Sequence, residues 1–569
     1  MIKKCVKITV ALLITMSLLS QLLFNVSADS PYKSYVAGWW TDAPAPDAYV
    51  PVKSYTGIDL GTTEMKEPRD LHVDKETGTV YILDTANDRI IVVDKDFNFI
   101  REMKDFINDL GEEEKMRTMK LSDDQQTETA EETGAEGENT EAAPAAEGEA
   151  EAPAATTSAS PMKPLEKVTI DGVEYAKTSL SGARGIYVDS GYIYIADSEN
   201  HRVLKTDMDG NILLQILKPD PVKYPAYTSK TYIPNRVMVD KIGMIYVISG
   251  TVFQGAILFD ESGEFDSFFG SAPVAVTAKL LADRFWKKIM PTAQRAKMAQ
   301  FVPMEYTSFD IDESQFVYTC AQKVSDKSTA LRKLNSQGSS VLTPPDAMDI
   351  RNSTIYGESE TLFTKSTMHD TTFVDIAVDY AGYIYALDIE RSRVYVYDEE
   401  LRRMCTFGTT GDQLGTFKSV SALETYEDLV YVLDGGKHCI TVFKLTDYGE
   451  MMRKGNDLFI QGKYSESLET WNEVAARSNN NIAAYYRIGK ALQQQDKYEE
   501  SIEYFKISEA RGSESKSFDN IRSKFLRDNF SIVMIIALVI VVGLILITNK
   551  KFVVFLGEKR RQRRERKKL

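Results

Sequence analysis

The 569-residue sequence predicts a multidomain chain: an all-β ring of repeated sheets, then an all-α helical repeat, then one transmembrane helix. Three observations predict it. A strand-and-acid unit recurs through residues 55–447, a second, longer period follows between 448 and 510, and an uninterrupted apolar run lies close to the C-terminus. Composition agrees, since 43% hydrophobic and 27% charged residues exclude a wholly disordered or collagenous chain. Four cysteines are too few for a disulfide framework, and four histidines leave little scope for a His-rich metal site.

Each β unit opens on an apolar–polar strand ending in an acid. The segments are Asp70–Asp74, Gly185–Asp189, Arg236–Asp240, Phe309–Asp312, Ile376–Asp379 and, more weakly, Ser421–Glu424. A second strand then ends at Asp84, Asp197, Ser249, Cys320, Asp388 or Asp434. A tight turn leads into a third strand, after Asp88, His201, Ser392 and His438 in the clearest copies. A sheet of this kind buries its faces only against its neighbours, so the copies need to close into a β-propeller, which also protects their edges. Tyr49–Leu60 is the outer strand expected to complete the last blade. The pattern resembles NHL-repeat propellers, and Asn200-His201-Arg202-Val203 sits where that family's namesake tripeptide occurs. The resemblance covers roughly residues 48–447 and implies six blades, with seven the other closure open to the pattern.

Asp84, Asp197, Asp388 and Asp434 look like a carboxylate cluster but read as structural acids, because Asp at a strand end accepts hydrogen bonds from turn N–H groups. His201 and His438 share that turn and read the same way. A ligand would instead meet the rim where the loops entering the first strands converge. Alignment on the first-strand acids places Arg69, Asp70, Arg184, Asn235, Arg236, Thr307, Ser308, Val374 and Asp375 there. The likeness to six-bladed lactonases implies a divalent cation such as calcium on that rim, for which Asp70, Asp375 and Asn235 are the available oxygen ligands. The interleaved Arg69, Arg184 and Arg236 argue against the cation and for an anionic or polar partner. His72 and His369 fit no zinc-ligand spacing.

Two insertions interrupt the ring. Residues 121–160 hold eleven acids and no Lys or Arg, a composition that reads as a disordered, solvated spacer. Residues 278–301 read as a basic helical insertion kinked at Pro291. There Arg284, Phe285, Trp286, Lys287 and Lys288 offer either a face that packs on the propeller or a docking patch for an acidic partner.

Between 448 and 510, Gly455 recurs as Gly489, Leu458 as Leu492, Tyr464 as Tyr498, Glu466 as Glu500, Ser467 as Ser501 and Trp471 as Phe505, a period of 34. This resembles two tetratricopeptide repeats, with Ser467 and Ser501 where that family favours Ala. Two repeats are fewer than the three that usually stand alone, so residues 511–529 are expected to act as a stalk or capping helix. The concave face is a candidate protein-binding surface, and a rigid spacer is the alternative.

Both ends address a membrane. Residues 1–28 carry Lys3, Lys4 and Lys7 before an apolar run and the small residues Val26-Ser27-Ala28, the pattern of a signal peptide. Residues 530–548 make a span of about 28 Å as helix. Residues 549–569 add ten basic and two acidic side chains, which keep that end cytoplasmic and attract anionic lipid. Cys320, Cys405 and Cys439 read as buried thiols. The net charge of −15 is therefore +3 at the signal, +8 in the tail and −26 on the large segment between them.

No nucleophile–base motif, phosphate loop or nucleic-acid signature is present. The expected function is a membrane-anchored extracytoplasmic scaffold or binding protein of a bacterial surface, without a cofactor, working with other proteins of envelope, secretion or solute-uptake machinery. The alternative is a gluconolactonase-like, metal-dependent hydrolase acting at the propeller's central rim.

Overall fold

The computed structural model describes residues 34–36, 43–108, 166–170, 173–219, 231–250, 255–270, 306–322, 330–341, 356–357, 371–399 and 401–567. Residues 1–28, expected to be a signal peptide, the acidic stretch 121–160 and the expected basic insertion 278–301 lie outside them, as does His369.

Runs of β-branched and aromatic residues, broken by Asp- and Gly-containing turns, fold into six sheets that form a six-bladed β-propeller. Their innermost strands, in blade order, are Pro68–Val73, Gly185–Asp189, Pro234–Val239, Tyr306–Ile311, Phe373–Val378 and Val420–Tyr426. Each pairs antiparallel with the next strand in sequence, and the meander continues outward. Blade 6 is completed by Tyr49–Thr56, which pairs with Cys439–Leu445 and joins the two ends of the ring. Ser54 and Thr441 share a 2.6 Å hydroxyl contact across that seam.

Hydrophobic burial lies between blades as well as within them. One cluster joins Leu71, Val73 and Ile82 of blade 1 to Tyr431, Leu433 and Ile440 of blade 6. Another joins Leu83, Ile90 and Val92 of blade 1 to Ile186, Ile193 and Ile195 of blade 2. Blades 5 and 6 meet through Tyr49, which stacks on Phe407 at 4.7 Å and meets the Tyr385 hydroxyl at 2.9 Å. The turns repeat one device. Asp74, Asp94, Asp207, Asp240, Asp260, Asp312, Asp379 and Asp398 each accept backbone N–H groups from residues two or four positions on.

Two outer edges are extended. The strand Asp105–Asn108, which precedes the acidic insertion, pairs parallel with Asn211–Ile216 of blade 2. The hairpin that follows it, Glu166–Ile170 and Val173–Ser179, continues the same sheet to seven strands. Ser34–Val36 and Ala43–Ala45 add to the outer strand of blade 5. Segments this short carry no periodicity of their own by which a sequence would reveal them.

The chain beyond the ring is helical: α1 Asp447–Ile460, α2 Tyr464–Arg477, α3 Ile482–Gln494, α4 Tyr498–Ile507, α5 Arg511–Asp528 and α6 Phe530–Arg566. The recurring glycines permit close crossings. A Cβ on Gly455 would lie 2.8 Å from the Trp471 ring nitrogen, and one on Gly489 2.8 Å from Phe505. The serines that depart from the tetratricopeptide pattern also have work. Ser467 donates to the Gly455 carbonyl at 2.7 Å, and Ser501 meets Ser517 of α5 at 2.8 Å. α6 is long and apolar enough to cross a membrane and carries none of its apolar window buried.

Candidate functional site

The acids ending the second strands tie each blade to the loop that enters its own first strand. Asp84 accepts the Lys66 N–H at 2.7 Å, Asp197 the Ser181 N–H at 2.8 Å, Asp388 the Thr372 N–H at 2.9 Å and Asp434 the Lys418 N–H at 2.8 Å. Asp84 and Asp197 also take buried arginines, Arg89 at 2.6 Å and Arg202 at 2.8 Å. His201 and His438 reach into the neighbouring blade through Nδ1, to the Tyr232 and Met65 carbonyls at 2.8 and 2.7 Å. These side chains are consumed by the scaffold.

At the axis, one irregularity recurs. In five innermost strands the register slips near the start, at Arg69, Asn235, Thr307, Val374 and Ser421. A bulge leaves its extra residue out of the ladder and re-aims its neighbours. Apart from Arg184, which precedes the regular inner strand of blade 2, the rim residues expected from sequence divide into two sets. Arg69, Asn235, Thr307 and Val374 occupy the bulge. Asp70, Arg236, Ser308 and Asp375 follow it.

The second set meets across the axis. Arg236 of blade 3 pairs through Nη1 with Asp70 of blade 1, and its Nη2 lies 3.6 Å from Asp375 of blade 5. Gly185 of blade 2 makes room for this, because a Cβ there would stand 2.9 Å from the Arg236 Cα. The acids have a second task. Asp70 accepts the Ile186 N–H of blade 2 at 2.9 Å, and Asp375 accepts the Leu423 N–H of blade 6 at 2.8 Å. Inner-strand N–H groups with no partner strand beyond them need such acceptors. Burial raises Asp70 to about 6 against the pull of Arg236, and raises Asp375 as well. Burial alone would lower Arg236, but the two acids more than reverse it.

Two residues further along each strand lies a second polar tier that sequence reading missed as a site. Its members in blade order are His72, Tyr187, Met238, Asp310, Ala377 and Glu424. Glu424 accepts from Lys75 at 2.7 Å and lies 3.1 Å from His72 Nδ1, while His72 Nε2 lies 3.1 Å from the Val188 carbonyl. Burial opposes the Glu424 charge, yet Lys75 and His72 outweigh it and hold this carboxyl at about 2. Asp310 has backbone partners only among its hydrogen bonds, the N–H groups of Val378 at 2.7 Å and Ile311 at 2.8 Å. Burial, reinforced by Glu424, raises it to about 7. The available signal was the strand period of two: counting on from Asp70 reaches His72, and from Ser308 reaches Asp310.

Three rim residues take no part in the axial pairs. Arg69 is 55% exposed beside Glu67, Arg184 is exposed, and the side-chain oxygen of Asn235 is buried without a hydrogen bond. Among the described residues, no three His, Cys, Asp or Glu side chains are grouped as a metal site requires. Cys320, Cys405 and Cys439 are buried and form no disulfide, and burial pushes the Cys320 thiol up to about 12. The proposed docking residues Arg284, Phe285, Trp286, Lys287 and Lys288 belong to the insertion outside the described residues.

Comparison with known proteins finds two repeat families in this chain. A model of the NHL repeat matches residues 180–205, and a model of the TPR repeat matches residues 455–496. No curated protein matches the sequence. Solved structures with a similar outline include virginiamycin B lyase from Staphylococcus aureus, at 9% identity and a TM-score of 0.34, covering 67% of this chain and 95% of that one. A luciferin-regenerating enzyme is similar at 8% identity and a TM-score of 0.32, covering 67% and 92%. These likenesses concern chain outline and carry no chemistry across.

Proposed function

We propose that this protein is a membrane-anchored extracytoplasmic scaffold whose propeller and helical repeat engage other proteins of the cell envelope, including secretion or solute-uptake machinery. The observation that carries this reading is the state of the axis. Asp70, Arg236 and Asp375 are spent on one another and on neighbouring blades, so the groups a catalytic rim would use serve instead to close the ring. The exposed polar groups left over, Arg69 and Arg184, suit an anionic or polar surface on a partner. α6 anchors the chain, with its basic end in the cytoplasm. Site-specific photo-crosslinking in intact cells tests this. A crosslinker at Arg184 should capture a discrete protein partner that one at Lys95, on a surface turn, does not. Equal capture at both positions, or none, would end the rim reading.

The hydrolase is the second reading, favoured by the Asn235 oxygen, buried without a hydrogen bond one position before the arginine that meets both axial acids. A cation there must displace Arg236 from both carboxylates, at the cost of a buried, uncompensated guanidinium. Millimolar calcium should therefore leave the thermal midpoint unchanged. A rise abolished by Asp70→Ala and by Asp375→Ala would replace the scaffold with the enzyme.

A further inference from the structure

Resting on the reading that α6 spans the bilayer, we infer that the last turns of α5 form an interfacial seat, which holds the helical repeat directly on an anionic membrane surface. α5 has two different ends. Its first half docks on the repeat through small polar side chains: Ser513 and Ser517 are buried, and Gln493 of α3 donates to Ser517 at 2.7 Å. Its second half carries apolar side chains that lie uncovered, with Phe518 and Phe525 each 59% exposed and Leu526 exposed beside them. Phe518, Ile521 and Phe525 follow one another at helical spacing and so share a face. Arg522, Lys524 and Arg527 are interleaved with them and exposed, against the acids Asp519, which Arg522 meets at 2.9 Å, and Asp528.

The connection to the span identifies what covers that face. Only Asn529 separates α5 from α6, and helical hydrogen bonds run through it: Asn529 N–H to the Phe525 carbonyl at 3.0 Å and Val533 N–H to the Asn529 carbonyl at 2.9 Å. No flexible linker intervenes. Phe525 lies five residues before Phe530, so at about 1.5 Å per residue it stands roughly 7–8 Å above the start of the span. The headgroup layer is roughly 5–8 Å thick on each side of the hydrocarbon. Phe525 and Leu526 therefore enter that layer, where apolar side chains flanked by Arg and Lys suit acyl boundaries and lipid phosphates. Ser517, thirteen residues before Phe530, is within about 20 Å of the hydrocarbon, and the repeat packed on it is seated near the surface.

The test uses the full-length protein in vesicles of phosphatidylcholine with one-third phosphatidylglycerol. A lipid-sensitive fluorophore is placed on Phe525→Cys, Ser515→Cys and Leu538→Cys, with the unsubstituted protein labelled in parallel because its described cysteines are buried. Nitroxide-bearing lipids should quench the label at 525 at least about twofold more than at 515, and omitting phosphatidylglycerol should reduce that difference. Quenching at 538 but not at 525 overturns the seat while leaving the span intact. A label at 525 that is shielded from water but unquenched by lipid means that protein covers this face, and also overturns it. Absence of quenching at 538 removes the span, and the seat with it.

Discussion

Asp84 and Arg89 illustrate how a recurring polar pair becomes part of a β core. Both are buried, 2.6 Å apart, and Arg89 also reaches the Thr63 hydroxyl at 2.7 Å and carbonyl at 2.9 Å. Removing one member leaves the other charge buried and uncompensated, which costs about 3–5 kcal/mol. Arg89→Ala should show that loss in chemical denaturation, and a loss below about 1 kcal/mol would mean the pair is dispensable. Asp310 predicts a pH dependence of defined sign. Its carboxyl is raised to about 7 in the folded state, so the native protein holds a proton that the unfolded chain releases near pH 4. Its contribution to stability is full below that value and is lost as pH rises through about 7. Asp310→Asn keeps the oxygen that accepts from Val378 and removes the charge, so it should raise the thermal midpoint by a few degrees at pH 8, by less at pH 5, and leave it nearly unchanged at pH 3. Glu424 works in the opposite sense: held at about 2, it adds stability above the ordinary carboxylate range that is lost as pH falls toward 2. An Asp310→Asn midpoint that tracked wild type across this range would refute the assignment. The structural role of the strand-end acids was legible from their position before a turn. The axial tier was not, because Glu424 acquires its role only when blade 6 stands beside blade 1, hundreds of residues away in sequence.

At the scale of elements, periodicity carried most of the fold. The alternation of apolar residues in GIYVD and IYIAD predicts two strands, which pair residue for residue from Gly185–Ala196 to Asp189–Tyr192. The period of 34 predicts paired helices, and α1 to α4 follow it. What periodicity could not supply was the bulge that separates Arg69 from Asp70 and Asn235 from Arg236, since a one-residue slip is invisible in a pattern of hydrophobicity. It also left Ser501 unexplained, because its partner Ser517 lies on a helix outside the repeat. That pair yields a prediction. Ser517→Val removes a hydroxyl from a buried contact with Ser501 and Gln493 and should weaken α5 docking by about 1–3 kcal/mol. Hydrogen exchange would register it as faster exchange across 511–528 with α1 and α2 unaffected. Unchanged protection in α5 would show that the serine network does not hold it.

For the whole molecule, the closing seam is where a ring of blades differs from a stack. Blade 6 is completed by Tyr49–Thr56 from the start of the chain, with seven residue pairs against Cys439–Leu445, whereas Ser34–Val36 meets the outer strand of blade 5 at Tyr35–Thr406 alone. Loop closure over nearly the whole propeller is therefore invested in one strand pairing, and an outer strand is also the one that frays first. Cys439 reports on that seam. It is buried in the strand that Tyr49–Thr56 covers, with Ser54 Oγ 3.6 Å from its sulfur, whereas Cys320 is buried in the second strand of blade 4. Ser54→Pro places a rigid residue without an N–H in the middle of the closing strand. If the seam opens before the blades do, native-state thiol labelling of this variant should accelerate at Cys439 by about tenfold, about 1.4 kcal/mol of local stability, while Cys320 stays protected. Acceleration at both thiols together would mean instead that the ring unfolds as one cooperative unit, with the seam no weaker than any other interface.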